Sequence, residues 1–348
     1  MDISQEQSMS NDALVLCHRY NAMDCQEMEA IASNVPFRCL LITFLVFALF
    51  AVPLLMNVIR RIVRNPLYHI NTRVLLVAHG VALIVHHLDR IVFHGWDLYR
   101  WIIVMPQTSA CDIISSSERC FGLRILFNCA MWFCICTTPA LTLERWLATR
   151  RTATYHSDKH SWVLVLGFQF LLAAALLSLV YAEQKFGGTA LYCMAASSSI
   201  PIHTLIAFSL TTVMQAFSIF VFRKLVKKNE KLRLSLQESG GDLTRKYQVE
   251  ETLRALRTIY QPVHIMFIAQ FSYSFVSFFV LNFNSHFSRP VYFFLMELNI
   301  YIPEYSIAFV LTFILKENRI SDMSSESLKK KMHADTDTYF ENYRNSWN

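Results

Sequence analysis

Glycine, charged residues and the short motifs of enzymes are all scarce in this 348-residue sequence. It contains 8 glycines, and charged residues make up 17% of the chain. It has no glycine-rich phosphate loop, no His-Glu-x-x-His helix, no Gly-x-Ser-x-Gly turn and no Cys/His set with zinc spacing. These absences argue against an enzyme, and the sequence predicts neither a cofactor nor a metal site.

A secretory leader is also missing, because the first 38 residues do not show successive basic, apolar and small-residue regions. The first hydrophobic helix is therefore expected to act as the insertion signal, so that the N-terminus is retained. No internal repeat or low-complexity linker divides the chain. One membrane domain with polar ends is expected.

Hydrophobic residues, in contrast, make up 54% of the chain, and the mean hydropathy is +0.32. They gather in stretches of about 20 residues, the length that a helix needs to cross a bilayer. Seven such stretches are predicted, which are Cys39 to Ile59, Thr72 to His94, Phe121 to Leu143, Ser161 to Ala182, Pro201 to Arg223, Pro262 to Asn284 and Tyr292 to Leu315. The second ends in the polar run His-His-Leu-Asp-Arg, so six spans remain an alternative.

The predicted fold class is therefore an all-α membrane protein, a seven-transmembrane helix bundle. Residues 39–315 would form the bundle, with residues 1–38 as an extracellular N-terminus and residues 316–348 as a cytoplasmic tail. Lys and Arg support this orientation, because basic residues accumulate in the loops that stay in the cytoplasm. The loops and the tail on the predicted cytoplasmic side hold 24 Lys and Arg residues, and the predicted outer side holds six.

The net charge of +6 is thus divided among the loops of a membrane protein. It predicts contact with the lipid bilayer and does not indicate nucleic-acid binding. The tail segment Ser-Leu-Lys-Lys-Lys-Met in particular is expected to touch anionic lipid.

Five cysteines fall in segments predicted to lie outside, where disulfides persist. They are Cys17, Cys25, Cys111, Cys120 and Cys193. A Cys120–Cys193 bridge would tie the loop between the fourth and fifth helices across the mouth of the bundle. Free thiols, or competition from Cys111, remain alternatives because sequence alone does not assign connectivity. A Cys17–Cys25 bridge is a second expectation.

The pair Glu144-Arg145 stands 25 residues after Cys120, about 37 Å along a helix and therefore one membrane crossing. An outer Cys followed one crossing later by Glu-Arg and an aromatic resembles the third helix of rhodopsin-like seven-helix receptors. That resemblance implies that Glu144 restrains Arg145 at rest, that the freed Arg145 faces a heterotrimeric G protein, and that Trp146 takes the aromatic position. The alternative is that both are simply the first polar residues after a span.

Three inner-face segments are similar to nematode chemosensory receptors of the serpentine receptor class alpha superfamily, nearest to its alpha/beta class. They are "YHINTRVLL" from Tyr68, "LTLERWLAT" from Leu141 and "LTRKYQVEE" from Leu243. The resemblance implies a chemosensory G-protein-coupled receptor, with Lys246 and Tyr247 on the face that couples to the G protein. It also implies that the receptor lies in the plasma membrane, in the part that covers the cilium of a sensory neuron. Glu251 departs from the Asn expected there, which concerns the subfamily more than the fold.

Ionisable groups inside a membrane are costly and usually face the bundle interior or a water-filled cavity. An outer cavity for a small polar or acidic ligand is therefore expected, with Asp89 able to reach back to His86. The candidate contacts are His86, Asp89, Arg90, Phe121, Arg124, Tyr292 and Glu297. The alternative is that the two arginines neutralise Asp89 and Glu297 and only hold the bundle together.

The inner extensions of the fifth and sixth helices are amphipathic and basic, so they predict a groove for a partner helix. An external ligand would favour a conformer in which these helices separate. Pro262 and Pro303 are hinge candidates, because proline removes a backbone hydrogen bond. For Pro262 the alternative is a proline that is tolerated at a helix start or where neighbouring groups fill the gap. A transporter or a ligand-gated channel could also use seven spans, and a nonsignalling membrane partner is a third possibility.

Overall fold

The computed structural model describes residues 22–64, 69–151, 160–182, 184, 186–194, 202–238, 243–300 and 305–315. These parts of the chain form a bundle of helices that run back and forth, with one very short β-pair at one end. The helices are α1 Ala22–Ala32, α2 Val35–Arg64, α3 Ile70–Tyr99, α4 Ser117–Ile135, α5 Thr137–Arg150, α6 Ser161–Val180, α7 Ile202–Glu238, α8 Leu243–Asn282, α9 Arg289–Asn299 and α10 Tyr305–Leu315.

Six helical stretches in the described residues are long and apolar enough to cross a membrane. They are α2, α3 with its short extension, the α4–α5 pair, α6, α7 and α8. Within the seventh predicted span the described residues form α9 and α10; α9 ends at Asn299, and Ile300 follows it. Pro303 lies outside the described residues. The predicted all-α membrane bundle is confirmed.

One stripe of α2 is buried, and the rest of its surface is apolar and exposed. The buried residues recur every three or four positions from Phe37 to Ile62, and Leu49 and Phe50 between them are 59% and 64% exposed. This pattern is expected of a helix that packs on the bundle with one face and on lipid with the other.

The second span is a single long helix despite its polar run. α3 extends five residues beyond the predicted end at His94, and a π-helical turn (Arg100–Val104) and a 3-10 turn (Met105–Gln107) continue it. His86, His87 and Arg90 within the run are fully buried. These three side chains point into the protein, where His87 meets the Ser306 hydroxyl at 2.9 Å and Arg90 donates to the Ile300 carbonyl at 3.0 Å.

The third span is interrupted at Cys136, between α4 and α5. Pro139 has no N–H to donate to the carbonyl of Ile135, four residues earlier, so that carbonyl needs another partner. Gln215 of α7 supplies it, with its Nε2 2.7 Å from the Ile135 oxygen. Gln169 of α6 donates in the same way to the Phe133 carbonyl at 3.0 Å. Neighbouring helices thus stabilise the interruption.

α7 continues past the inner end of its predicted span to Glu238, and α8 begins before its predicted span, at Leu243. The basic, amphipathic sequence of these two segments predicted such helical extensions. Pro262 lies in the interior of α8 and not at its start. The alternative of a proline at the beginning of that helix is therefore wrong.

The outer end is held by two disulfides, Cys25–Cys111 and Cys120–Cys193. The second is the pair favoured by the sequence, whereas the expected Cys17–Cys25 bridge is wrong because Cys25 bonds to Cys111. Near Cys193, strand β2 (Thr189–Ala190) pairs antiparallel with β1 (Ser115–Ser116). Gly187, at φ 85°, makes the left-handed turn that leads into β2.

Gly80 allows α2 and α3 to approach closely, and this gives a first prediction. A Cβ at Gly80 would lie 2.8 Å from Cγ1 of Ile59, whereas a Cβ at Gly95 would meet nothing within 4 Å. Gly80→Ala is expected to destabilise the protein by about 1–3 kcal/mol through overpacking. Gly95→Ala is expected to be neutral or to stabilise by up to about 1 kcal/mol, because alanine favours helix. The unfolding temperatures of the two variants in detergent would be compared; equal shifts would contradict the close approach.

Candidate functional site

The inner end of the third span carries a buried polar cluster, formed by Thr72, Glu144 and Arg145 and called the inner polar cluster below. Arg145 donates to both carboxylate oxygens of Glu144 and to the Thr72 hydroxyl, and that hydroxyl donates to Glu144 at 3.0 Å. Glu144 is completely buried and Arg145 is 2% exposed. Because a buried charge is costly unless it is paired, this arrangement holds Arg145 inside the bundle.

The residues after the cluster tie α5 to α7. The Thr149 hydroxyl donates to the Arg145 carbonyl at 2.9 Å, and Asn229 of α7 donates to Thr149 at 3.0 Å. Trp146 is part-buried, with the guanidinium carbon of Arg150 4.4 Å from its ring centroid. The inner end of α5 therefore contacts both α3 and α7.

The inner extensions of α7 and α8 are joined by exposed polar contacts. Arg257 pairs with Glu230 at 2.8 Å, and Arg223 donates to the Tyr260 hydroxyl at 3.0 Å. Exposed pairs of this kind contribute little stability, about 0–1 kcal/mol. Lys246 is part-buried near the start of α8, and the side chain of Tyr247 lies outside the described part of the chain.

The outer half of the bundle contains a second buried group, called the outer polar cluster, made of Arg90, His94, Arg124, Tyr192 and Glu297. Arg124 donates to Glu297, and Nη2 of Arg90 and Nε2 of His94 each lie 3.7 Å from its other oxygen. Arg90 also donates to His94 at 3.1 Å. All five side chains are buried. Three of the seven ligand candidates are therefore paired with one another.

The outer polar cluster also fixes the loop that follows α6. Arg124 donates to the Cys193 carbonyl at 2.6 Å, and Cys193 is bonded to Cys120, one turn earlier on α4. The Tyr192 hydroxyl donates to Glu297 at 3.0 Å. Burial raises the pKa of Tyr192 well above its ordinary value, so the phenol keeps the proton that it donates. The loop is thus held over the bundle by a disulfide and by charge.

The other four ligand candidates are separate from this cluster. Nδ1 of His86 lies 3.4 Å from the Phe127 carbonyl, and its Nε2 has no hydrogen-bond partner among the described residues. The expected contact between Asp89 and His86 is therefore wrong. Phe121 packs edge-on against Tyr181, and Tyr292 is buried in an apolar cluster with Phe293 and Met296. The sequence predicted one outer site, and the structure does not bring these four side chains into the cluster formed by the other three.

A cavity of about 60 Å³ lies deeper, near the middle of the bundle, and is called the mid-bundle cavity. None of the seven candidates lines it. Its walls come from α3, α4, α7 and α8, from the end of α9 and from the first residue of α10. The lining residues are Leu83, Met131, Cys134, Ile135, Gln215, Met266, Ala269, Gln270, Tyr273, Asn299, Ile300 and Tyr305.

A sequence model of the serpentine type 7TM GPCR receptor class ab chemoreceptors matches residues 22–348 of this chain. The protein belongs to this family. Two curated relatives from Caenorhabditis elegans are similar to it. Serpentine receptor class alpha/beta-14 is 22% identical over 211 residues, which cover 58% of this chain and 52% of that protein. Serpentine receptor class beta-7 is 24% identical over 231 residues, which cover 64% of this chain and 63% of that protein.

The family assignment confirms the predicted superfamily. It also confirms the prediction that the chain is a multi-pass membrane protein of a chemoreceptor family. The matched segments span about half and just under two thirds of the two relatives.

The structure of this chemoreceptor adds functional candidates that sequence reasoning missed. His94 stands one helical turn after Arg90, and this spacing could have identified it. Tyr192 precedes a cysteine with a predicted partner, which could have placed it at the bundle mouth. Gln215 and Asn299 gave no signal, because a polar residue in an apolar run shows no partner until the helices are packed.

Proposed function

We propose that this chemoreceptor binds a small external ligand within its helix bundle and activates a heterotrimeric G protein at its inner face. The observation that carries the proposal is the inner polar cluster. Arg145 is placed one membrane crossing from the disulfide at Cys120, and it is buried and paired with Glu144. A buried charge that is neutralised by its neighbour can be released when the packing around it changes.

The contacts around the inner polar cluster support a change of this kind. α5 is joined to α7 through Asn229, whereas the extensions of α7 and α8 are joined by exposed pairs such as Arg257 with Glu230 and by a buried apolar cluster that includes Leu225 and Leu256. Breaking the exposed pairs costs little, so the apolar cluster is the main contact that a separation has to open. A ligand that binds better to the separated arrangement would shift the population towards it, and the opened inner face would admit a helix of the G protein.

The outer polar cluster supports a structural role for Arg90, Arg124 and Glu297 in this proposal. Glu297 pairs with both guanidinium groups, and the backbone carbonyls of Ile300 and Cys193 accept hydrogen bonds from Arg90 and Arg124, so these groups already have partners within the protein. The ligand site proposed for this receptor is therefore below the cluster, in the mid-bundle cavity.

The proposal places the receptor in the plasma membrane, with its N-terminus outside and its tail in the cytoplasm. The distribution of Lys and Arg supports this orientation. The ciliary membrane of a sensory neuron is proposed from the chemoreceptor family alone.

Orientation is tested with one epitope tag before Met1 and another after Asn348, stained in intact and in permeabilised cells. The expected result is staining of the first tag in intact cells and of the second only after permeabilisation. An internal N-terminus would place Arg145 on the side away from G proteins and overturn the proposal. Whole-cell recording in the same cells tests the alternative of a ligand-gated channel, for which current without a G protein is the expected sign.

A further inference from the structure

One exposed face of α7 changes from apolar to basic at a single level. Phe217 and Phe220 are 65% and 54% exposed, as expected of side chains that face lipid. Over the next two turns the same face carries Arg223, Lys224 and Lys227, which are also exposed. The ammonium of Lys224 lies 4.4 Å from the ring centroid of Phe220. Because Arg223 is also the last residue of the predicted fifth span, this change marks the membrane surface.

Two side chains of α8 hold the guanidinium of Arg223 at this level. Its Nε donates to the Tyr260 hydroxyl oxygen at 3.0 Å, and its Nη2 lies 3.3 Å from Nε2 of His264. Nδ1 of His264 lies 2.9 Å from the Tyr260 carbonyl oxygen, which only accepts, so Nδ1 carries the ring proton and Nε2 accepts from Arg223. Together with Lys224 and Lys227, these three residues form a surface called the basic seam below.

The groups that the basic seam leaves available are donors and positive charges. A guanidinium has more N–H groups than the two contacts of Arg223 use. The Tyr260 oxygen accepts from Arg223, and its own O–H has no acceptor among the described residues. Within that part of the chain, none of the three cations of the seam forms an ion pair, and the neighbouring Glu230 is already paired with Arg257. The seam therefore lacks a negative partner.

This arrangement fits an anion that has several oxygen atoms and is attached to acyl chains. The planar fork of an arginine can donate two parallel hydrogen bonds to a phosphate, and lysine adds charge without a fixed geometry. The seam also continues directly into surfaces that face lipid, towards Phe220 on α7 and towards Ile268 on α8, which is 62% exposed. A phospholipid can cover both parts, because its headgroup and its chains meet at the same level.

We infer that the basic seam binds the phosphate headgroup of an anionic phospholipid. Arg223 and the Tyr260 hydroxyl donate to its oxygens, and Lys224 and Lys227 match its charge. The bound phosphate joins α7 to α8 at the point where their extensions begin. This inference rests on the proposed function in one respect, which is the orientation, because anionic lipids are concentrated in the cytoplasmic leaflet.

The test follows the unfolding temperature of the purified full-length receptor in a neutral detergent with one of three probes. They are dioctanoyl phosphatidic acid, dioctanoyl phosphatidylcholine and inorganic phosphate. Phosphatidic acid is expected to reach half of its maximal shift at a concentration about tenfold lower than the other two, because only it combines acyl chains with uncompensated negative charge. Equal potency of phosphatidylcholine, equal potency of inorganic phosphate, or no shift with any probe would overturn the inference.

Two variants matched in charge locate the effect in the basic seam. Arg223→Gln removes the guanidinium, and Arg64→Gln makes the same change at an exposed arginine at the inner end of α2. Arg223→Gln is expected to raise the phosphatidic acid concentration for half of the shift about tenfold, and Arg64→Gln less than about twofold. Each shift is taken from the variant's own unfolding temperature without lipid, so a less stable variant remains informative. Equal effects would show that any surface charge suffices and would overturn the site.

A third variant tests the hydrogen bond without changing any charge. Tyr260→Phe removes the hydroxyl that donates to the phosphate and leaves the aromatic ring beside His264. It is expected to raise the phosphatidic acid concentration for half of the shift about threefold. An unchanged concentration would overturn the assignment of the phosphate to a place between α7 and α8.

The unfolding measurement needs neither a G protein nor an oriented membrane, so it separates this inference from the proposed function. If phosphatidic acid acts through Arg223 as expected but the two epitope tags are found reversed, the phosphate site stands and the proposed function fails. If the tags are oriented as expected but Arg223→Gln and Arg64→Gln respond alike, the orientation stands and the phosphate site is wrong.

Discussion

Glu144→Gln is expected to raise basal G-protein activation by about tenfold or more. The substitution keeps the size of the side chain but removes the negative charge that Arg145 and Thr72 meet in the inner polar cluster. A hydrogen bond to a charged group contributes about 1.5–3 kcal/mol, and about 1.4 kcal/mol corresponds to a tenfold change in an equilibrium. Arg145 would therefore leave its buried position in a larger fraction of molecules.

The measurement is nucleotide exchange by purified heterotrimeric G proteins, one Gα class at a time, with receptor in lipid vesicles and no added ligand. Thr72→Val serves as a graded companion, because it removes one hydroxyl from the cluster and leaves both charges. It is expected to raise exchange less than Glu144→Gln does. Unchanged exchange in Glu144→Gln, for a receptor that still folds, would contradict a restraining role.

Glu297→Gln is expected to destabilise the receptor by about 3–5 kcal/mol and to remove most of it from the cell surface. Glu297 is the carboxylate that Arg90 and Arg124 share in the outer polar cluster, where the three side chains are at most 4% exposed. Removing one partner of a buried ion pair leaves uncompensated charge in a poorly hydrated place, which is the costly outcome. The loop anchored by Tyr192 would also lose an acceptor.

The matched control is Glu27→Gln, which removes a carboxylate from an exposed pair with Arg289 at 3.6 Å. Exposed pairs contribute about 0–1 kcal/mol, so Glu27→Gln should leave surface expression close to that of the unmodified receptor. Surface staining of the N-terminal tag and unfolding temperature report the difference. Normal surface levels of Glu297→Gln with a lost response to ligand would instead indicate that Glu297 contacts the ligand.

The membrane spans could be predicted from the sequence because their signal is local. A run of about 20 apolar residues is visible in one dimension, and the bilayer imposes the length. The polar run in α3 left the second span ambiguous, because the partners of its side chains lie on other spans and are not visible in a local stretch of sequence. The interruption at Cys136 follows from Pro139, but its stability depends on Gln169 and Gln215, which belong to different helices.

The candidate site was predicted less completely because it depends on pairing across the bundle. Residue spacing identified Glu144 and Arg145 and placed Arg90, Arg124 and Glu297 in the outer half. It did not show that these three meet, nor that Cys25 bonds to a residue 86 positions away. The mid-bundle cavity was invisible, because a cavity is a property of packed helices.

The most direct test of the coupling mechanism is to remove Arg145 from a receptor that is already active. Glu144→Gln would be combined with Arg145→Gln, or with Arg150→Gln as a control that changes an exposed arginine five residues further along α5. Nucleotide exchange is then measured in vesicles with the same G protein. The account predicts that the Arg145 double variant falls to the rate of receptor-free vesicles while the Arg150 double variant keeps the raised rate. A raised rate in both would contradict the proposal that Arg145 couples this chemoreceptor to a G protein.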